Sequence, residues 1–273
     1  MNNTNFIEKV DTKNISDSTL LEMAKVQKDM WAYGLGEYVR CNCCNEIYSK
    51  NDIFGHLSSE IKTQSVTKLE EIFLGDSVRC KECNSTNTEF MYDIDHNVQT
   101  FLERYKKESF LVLSYNVEGN IIGFCDGFIG SFEEIYNNEL LSHYGNIDSI
   151  FLKKIIEEKL SISSLNNMLN FSSMGTYQKY ISYNFIYNLL RKFFRSINVD
   201  GLIPGITELD KTNSLYKIYK MMGSISLGLD RKYLNNLSDN YDSDICVFPD
   251  PINDFRTKYD IPFRELIKKH NIK

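Results

Sequence analysis

The sequence predicts an α+β fold, a mixed sheet flanked by helices, preceded by one helix and a small four-cysteine module. Three observations carry this. Five of the seven cysteines fall between positions 41 and 83, in two close-spaced groups. Two hydrophobic strands follow, joined at Glu118-Gly119-Asn120. Beyond them, apolar segments of strand length alternate with amphipathic helical segments, as in sheets of mixed pairing. With 273 residues, 42% hydrophobic and 13% aromatic, the chain can bury one sizeable core or two smaller ones, which excludes a disordered protein. The expected organisation is a helical segment over 1–35, the cysteine module over 36–90 and the main domain over 91–273.

Taken in order, residues 18–32 carry Leu20, Met23, Val26 and Met30 at helical spacing behind an Asp17/Ser18 cap, and read as one amphipathic helix. Cys41-Asn-Cys43-Cys44 and Cys80-Lys-Glu-Cys83 are then separated by 35 residues between Cys44 and Cys80. Each half reads as strand, tight turn and return strand. Two such turns present four thiolates, Cys41, Cys44, Cys80 and Cys83, that close a tetrahedral zinc ribbon. A site filled by four thiolates leaves no position for water, so this zinc is structural. An odd number of cysteines in a chain read as cytoplasmic also fits disulfide pairing poorly. Cys43 competes with Cys41 for one position, and the sequence leaves that choice open. His56 is a weaker ligand candidate. Asn45 and Asn84 follow the pairs where such turns require a left-handed residue.

Charge narrows the partners. A net charge of -6 and a pI near 5.4 argue against a general nucleic-acid binder. Residues 36–90 hold six Lys/Arg and nine Asp/Glu, and a zinc on four thiolates adds about -2 more. The ribbon is therefore expected to be structural or to face a protein partner rather than phosphate. The N-terminus lacks a charged-then-apolar leader and no run reaches the ~18–20 apolar residues of a membrane span, so a cytoplasmic location without membrane contact is expected.

After the ribbon, Val98–Lys107 reads as helix, residues 110–130 as the hairpin, and 132–160 as helical, most clearly Ile150–Leu160. An apolar stretch, Met168–Phe171, leads into a long helix with Phe185, Ile186, Leu189, Leu190 and Phe193 on a wide apolar face. Arg191, Lys192 and Arg195 complement the dipole of its last turn. Gly201–Thr207 is a strand candidate, and Asn213–Met222 a helix ended by Gly223. Cys125 and Cys246 read as ordinary buried thiols. From Leu160 to Val199 there is no Asp or Glu, while Lys179, Arg191, Lys192 and Arg195 make a local +4. The acid-free start of the long helix leaves its N–H groups available to an anion such as phosphate.

This order of elements resembles the GNAT superfamily of acyl-CoA N-acyltransferases across roughly residues 90–248. Gln178-Lys179-Tyr180-Ile181-Ser182-Tyr183 stands where that family carries Gln/Arg-x-x-Gly-x-Gly/Ala; Gln178 fits, while Ile181 and Tyr183 replace the glycines. The segment 210–223 is similar to the family's Asn-x-x-Ala-x-x-Leu-Tyr-x-x-x-Gly-Phe motif through Ile218-Tyr219 and Gly223, with Asn213 one place off and Ser224 for the Phe. The resemblance implies an acetyl-CoA or other acyl-CoA cofactor, held by Phe171, Ser172 and Ser173 on a splayed central strand, by residues 178–183 around the pyrophosphate, and by Asn213. It implies direct acyl transfer to an amine of a small molecule or protein, with Tyr219 as the acid that protonates the thiolate. Asp126, Glu133 and Glu134, which follow the second hairpin strand, are the candidate bases. Three further readings stay open: an aminoacyl-tRNA-dependent transferase, against which the acidic ribbon counts, a non-catalytic binding module of the same fold, for which the missing glycines count, and a zinc-ribbon adaptor fused to an unrelated α/β domain.

Overall fold

Asn116 closes the hairpin on which the sheet is built. Its Oδ1 accepts from the N–H groups of Glu118 and Asn120 at 3.0 and 2.9 Å, and Gly119 takes the left-handed conformation the turn needs, φ +83°. The structure, a computed structural model, describes residues 6–34, 38–41, 43–44, 47–49, 80, 82–90, 94–141, 147–177, 180, 182–210, 214–229 and 243–269.

The hairpin strands are β5 (Glu108–Tyr115) and β6 (Ile121–Gly130). Among the described residues they lie in a seven-stranded sheet with β1 (Phe6–Val10), β7 (Met168–Thr176), β8 (Gly205–Asp210), β9 (Ile225–Ser226) and β10 (Ser243–Phe248), in the order β1-β5-β6-β7-β8-β10-β9. Every neighbouring pair is antiparallel except β7 and β8. The mixed sheet with helices expected from the sequence is the fold observed.

The N-terminal elements pair and pack with the main sheet. β1 pairs with β5 from Phe6↔Tyr115 to Val10↔Leu111. Helix α1 (Asp17–Gly34) buries Leu20, Met23 and Val26 with Phe101 and Tyr105 of helix α2 (Ile94–Tyr105), against Leu111 and Phe124 of the sheet. Residues 6–34 thus belong to the sheet domain. The small antiparallel sheet of β2 (Tyr38–Cys41), β3 (Ile47–Ser49) and β4 (Thr88–Phe90) enters between α1 and α2 as an insertion. β1 escaped notice because a half-exposed edge strand, Phe6-Ile-Glu-Lys-Val10, shows no clean alternation. The α1 cap is Ser16, whose Oγ accepts from the Thr19 N–H at 3.2 Å, rather than Asp17 or Ser18.

The two faces are covered differently. Helix α3 (Phe132–Ile135) continues as a π-helical turn over Tyr136–Leu140, and α4 (Ser149–Leu160) follows. Helices α1 and α2 cover Leu113 and Phe124; α3 and α4 cover Phe128, Met168, Ile206 and Ile245 on the same face. Between Phe124 and Phe128, alternation puts Asp126 on this face, at the seam between the two helix layers. Helices α5 (Tyr183–Ser196), α6 (Ser214–Met221), α7 (Pro251–Asp254), with its π-helical extension Phe255–Tyr259, and α8 (Phe263–Lys269) cover the opposite face, over Val112, Cys125 and Phe171. Gly223, at φ +82°, ends α6 as expected, with the Ser224 N–H on Tyr219 O at 3.0 Å.

Candidate functional site

β7 and β8 pair in parallel only at Leu169↔Gly205 and Asn170↔Ile206. β8 then stays with β10 as far as Asp210↔Ser243, while β7 stays with β6 as far as Thr176↔Gly123. Thr207 Oγ1, donating to Phe171 O at 3.0 Å, is the bridge at the point of divergence. A bulge sits there. The β6–β7 register runs from Asp126↔Ser173 to Phe128↔Asn170, so Phe171 and Ser172 together face Gly127. Among the described residues, the strand edge from Ser172 onward has no β8 partner.

Beside the bulge, at the seam between α2 and α3, lies a buried polar cluster. Asp126 is completely buried and Arg104 nearly so. Arg104 donates from Nε and Nη2 to the two Glu139 oxygens at 2.8 and 2.9 Å, and from Nη1 to Ser173 Oγ at 2.7 Å. Only a 3.5 Å contact is left for Asp126 Oδ2, which also accepts from the Tyr105 hydroxyl at 3.3 Å. Among the described residues Asp126 Oδ1 has no hydrogen-bond partner. Burial pushes the Asp126 carboxyl up to about 6, with Arg104 opposing and Glu139 adding to the rise. Burial and the neighbouring Asp126 push the Tyr105 phenol well up.

Tyr219 lies across the sheet from this cluster. Its ring packs on Phe171 at 5.9 Å and edge-on to Phe248 at 5.5 Å, and it is 2% exposed. Burial, with Cys125 and Cys246 nearby, pushes its phenol well above the usual range. Asp126 and Tyr219 therefore flank the bulged strand from opposite faces, Asp126 beside Ser173 and Tyr219 beside Phe171. Cys125 and Cys246 are buried in the Tyr219 layer, as ordinary thiols.

The other predicted bases are drawn elsewhere. Glu133 is exposed and pairs with Lys153 at 2.8 Å, which holds its carboxyl below the usual range. Glu134 closes a capping box with Ser131. Both carboxylates serve the start of α3. Of the predicted cofactor residues, Gln178, Lys179, Ile181 and Asn213 lie outside the described residues. Tyr180 closes a turn on Tyr177, Ser182 caps α5 by accepting from the Phe185 N–H at 3.1 Å, and the exposed Tyr183 stacks on Phe263. The first turn of α5 is free of acids, as expected. Arg191 and Arg195, however, are both taken by Asp260 at the far end of that helix, so they add nothing to its N-terminus. A shallow groove of about 800 Å³, lined by Ser161, Asn166, Leu202 and Pro204, lies at the starts of β7 and β8, away from the opening.

Sequence reasoning missed Arg104, Tyr105 and Glu139. The signal was Asp126 itself: a carboxylate in Phe124-Cys-Asp-Gly-Phe128, inside an apolar strand, requires a buried donor set. Arg104-Tyr105, at the end of a helix already read, was the natural source.

In the inserted sheet, the Sγ atoms of Cys41, Cys44, Cys80 and Cys83 all lie within 4.8 Å of one another. Cys41 to Cys83 and Cys44 to Cys80 are each 3.5 Å apart. A tetrahedral zinc with bonds of about 2.3 Å has sulfur–sulfur edges of about 3.8 Å, so the donor set fits that ion. Cys43 stands outside the cluster, donating to Ser85 Oγ at 3.1 Å. Asn84 has the expected left-handed φ of 58°, and its N–H donates to Cys80 O at 2.8 Å. Asn45 and His56 lie outside the described residues.

No protein-family model and no curated protein matches the chain. Solved structures similar to it include a provisionally assigned acetyltransferase from Acinetobacter baylyi ADP1, at 11% identity and a TM-score of 0.44, covering 90% of this chain and 94% of that one. Chaetomium thermophilum Naa20 with a bisubstrate analogue aligns at 13% identity and a TM-score of 0.38, over 63% and 80%. The spermidine/spermine N-acetyltransferase SpeG from Vibrio cholerae aligns at 10% identity and a TM-score of 0.35, over 59% and 76%. Among the described residues no helix is long and apolar enough to cross a membrane.

Proposed function

We propose that the chain is an N-acyltransferase of the GNAT fold, passing an acyl group, acetyl in the simplest case, directly from acyl-CoA to an amine. The observation that carries this reading is the divergence of β7 from β8 at the Phe171–Ser172 bulge. Acyl-CoA supplies an activated thioester carbonyl and a thiolate leaving group. The open main-chain edge at 171–173 is the place for donors that polarise that carbonyl. Asp126 accepts the amine's proton, directly or through water, because its Oδ1 has no other partner. Tyr219, kept protonated by burial, donates to the thiolate from the other face. The acid-free start of α5, with Gln178, Lys179 and Asn213, faces the cofactor's phosphates in this reading.

The zinc site holds the inserted sheet together and leaves no ligand position for catalysis. Its place between α1 and α2 suits a module that meets a protein partner or the acceptor. Small-molecule and peptide amines both fit the chemistry.

Calorimetric titration with acetyl-CoA and free coenzyme A tests the reading. Binding, followed by amine-dependent release of free thiol, is expected. No heat at millimolar cofactor would overturn it and leave a non-catalytic binding module.

A further inference from the structure

The buried cluster at the seam does not balance its charge. Arg104 brings one cation, whereas Asp126 and Glu139 bring two carboxylates. The cation is divided unevenly. Its two-toothed pair goes to Glu139, the strong geometry for Arg and carboxylate, and its remaining nitrogen goes mainly to Ser173. Asp126 keeps a 3.5 Å contact and the Tyr105 hydroxyl, both on Oδ2, and among the described residues nothing on Oδ1. A buried carboxylate left in that condition must take up a proton or find a donor elsewhere. The π-helical turn over Tyr136–Leu140 contains Glu139, the residue that draws Arg104 away.

We propose that Arg104 is a positioning residue: by giving its close hydrogen bonds to Glu139 and Ser173 it leaves Asp126, opposite Ser173 in the strand register, as the group of this cluster that takes up and releases a proton. The proposal rests on the reading of Asp126 as the base of the transfer, and adds which residues set its proton affinity. Among the described residues the ionisable groups that face it are Arg104 and Tyr105 from α2 and Glu139 from the π-helical turn after α3, while Cys125, next to it on β6, points into the opposite face. Glu139 and Arg104 push in opposite directions. The rise of the Asp126 carboxyl to about 6 agrees with the geometry.

Opposed shifts of the Asp126 midpoint test the charge division, and the same order in the acid limb of kcat/KM separates this role from that of a merely structural cluster. The experiment is a carboxyl-carbon NMR titration of protein labelled at Asp, with the Asp126 signal assigned by Asp126→Asn. Glu139→Gln gives the guanidinium back to Asp126, and its midpoint should move to lower pH by about one unit, a tenfold loss of proton affinity. Arg104→Gln and Tyr105→Phe should each move it to higher pH. If Arg104→Gln does not fold, Glu139→Gln and Tyr105→Phe still give opposite signs. An unmoved midpoint in Glu139→Gln, or shifts of one sign throughout, overturns the proposal. The acid limb of kcat/KM should follow the same order. Opposed NMR shifts without any acyl transfer would leave this inference standing and sink the enzyme reading alone.

Discussion

Asp126 and Ser173 lie directly opposite one another in the β6–β7 pair, at the last register step before the bulge, and one nitrogen of Arg104 reaches both. The carboxylate is thereby tied to the strand whose open edge is the proposed acyl site. Asp126→Asn keeps the shape and removes the proton acceptor. Turnover with an amine should fall about 100-fold or more, with acetyl-CoA affinity little changed. In the native protein activity should rise with pH through about 6, since the carboxylate must be ionised to act, and the Asn variant should lack that limb. Steady-state rates across this range, with calorimetry for affinity, check both; a retained limb would clear Asp126 of the role.

The same residue has a stability consequence of defined sign. Folded Asp126 holds its proton more tightly than the unfolded chain, at about 6 against an ordinary 3.8. The folded state is therefore favoured below the lower value and loses stability as pH rises through this window, by roughly 3 kcal/mol if the full shift is expressed. Asp126→Asn removes the slope. Urea denaturation near the two ends of the window should show the variant gaining on the native protein at the higher pH.

Tyr219 separates packing from chemistry. Tyr219→Phe keeps the ring between Phe171 and Phe248, so it should leave stability within about 1 kcal/mol while lowering turnover more than cofactor affinity. Tyr219→Ala empties an aromatic core site and should cost about 3–5 kcal/mol. Denaturant midpoints paired with kinetics distinguish the two; full turnover in the Phe variant would remove Tyr219 from the mechanism.

Much of the fold was legible because the hairpin, the long amphipathic α5 and the Gly223 stop are set by local chemistry: turn residues, helical periodicity and a left-handed cap. The same locality explains the cysteine set, since each pair lies within one tight turn. What stayed hidden was non-local. β1 joins the sheet only through β5, over a hundred residues away in sequence, and its edge position blurs the pattern that marks a strand. Asp126 was expected to follow the second hairpin strand but lies within it, its partners come from α2 and the turn after α3, and no spacing rule links Arg104 to Glu139. The apolar strand around Asp126 marks it off from Glu133 in the sequence, and packing completes the contrast: Glu133 pairs with Lys153 at the surface, whereas Asp126 is buried in the sheet.

The four-cysteine cluster, read as a zinc site, makes its own discrimination between cysteines. Purified protein should contain one zinc per chain. Cys80→Ser removes a buried ligand and should release the metal and unfold the inserted sheet, because zinc binding energy is folding energy there. Cys43→Ser should retain the full metal content, as its sulfur meets Ser85 rather than the cluster. Elemental analysis of the two variants decides the matter, and equal zinc loss in both would place Cys43 among the ligands.

Gly127 tests whether the bulge supports the proposed site. A Cβ there would lie 2.4 Å from Asn170 O and 3.1 Å from the Phe193 ring. The oxygen is main chain, so Gly127→Ala must push β7 away from β6 at the point where Phe171 and Ser172 face Gly127. The expected cost is about 2–3 kcal/mol, together with weakened acyl-CoA binding, because the displaced segment is the proposed ligand edge. Gly119→Ala is the control: its cost, about 1 kcal/mol, comes from the φ of +83° with nothing within 4 Å, and it lies at the hairpin turn. Denaturation should rank the two in that order, and only the Gly127 variant should lose affinity for acetyl-CoA. Equal cofactor affinity in both would mean that the bulge shapes the sheet without forming the binding edge.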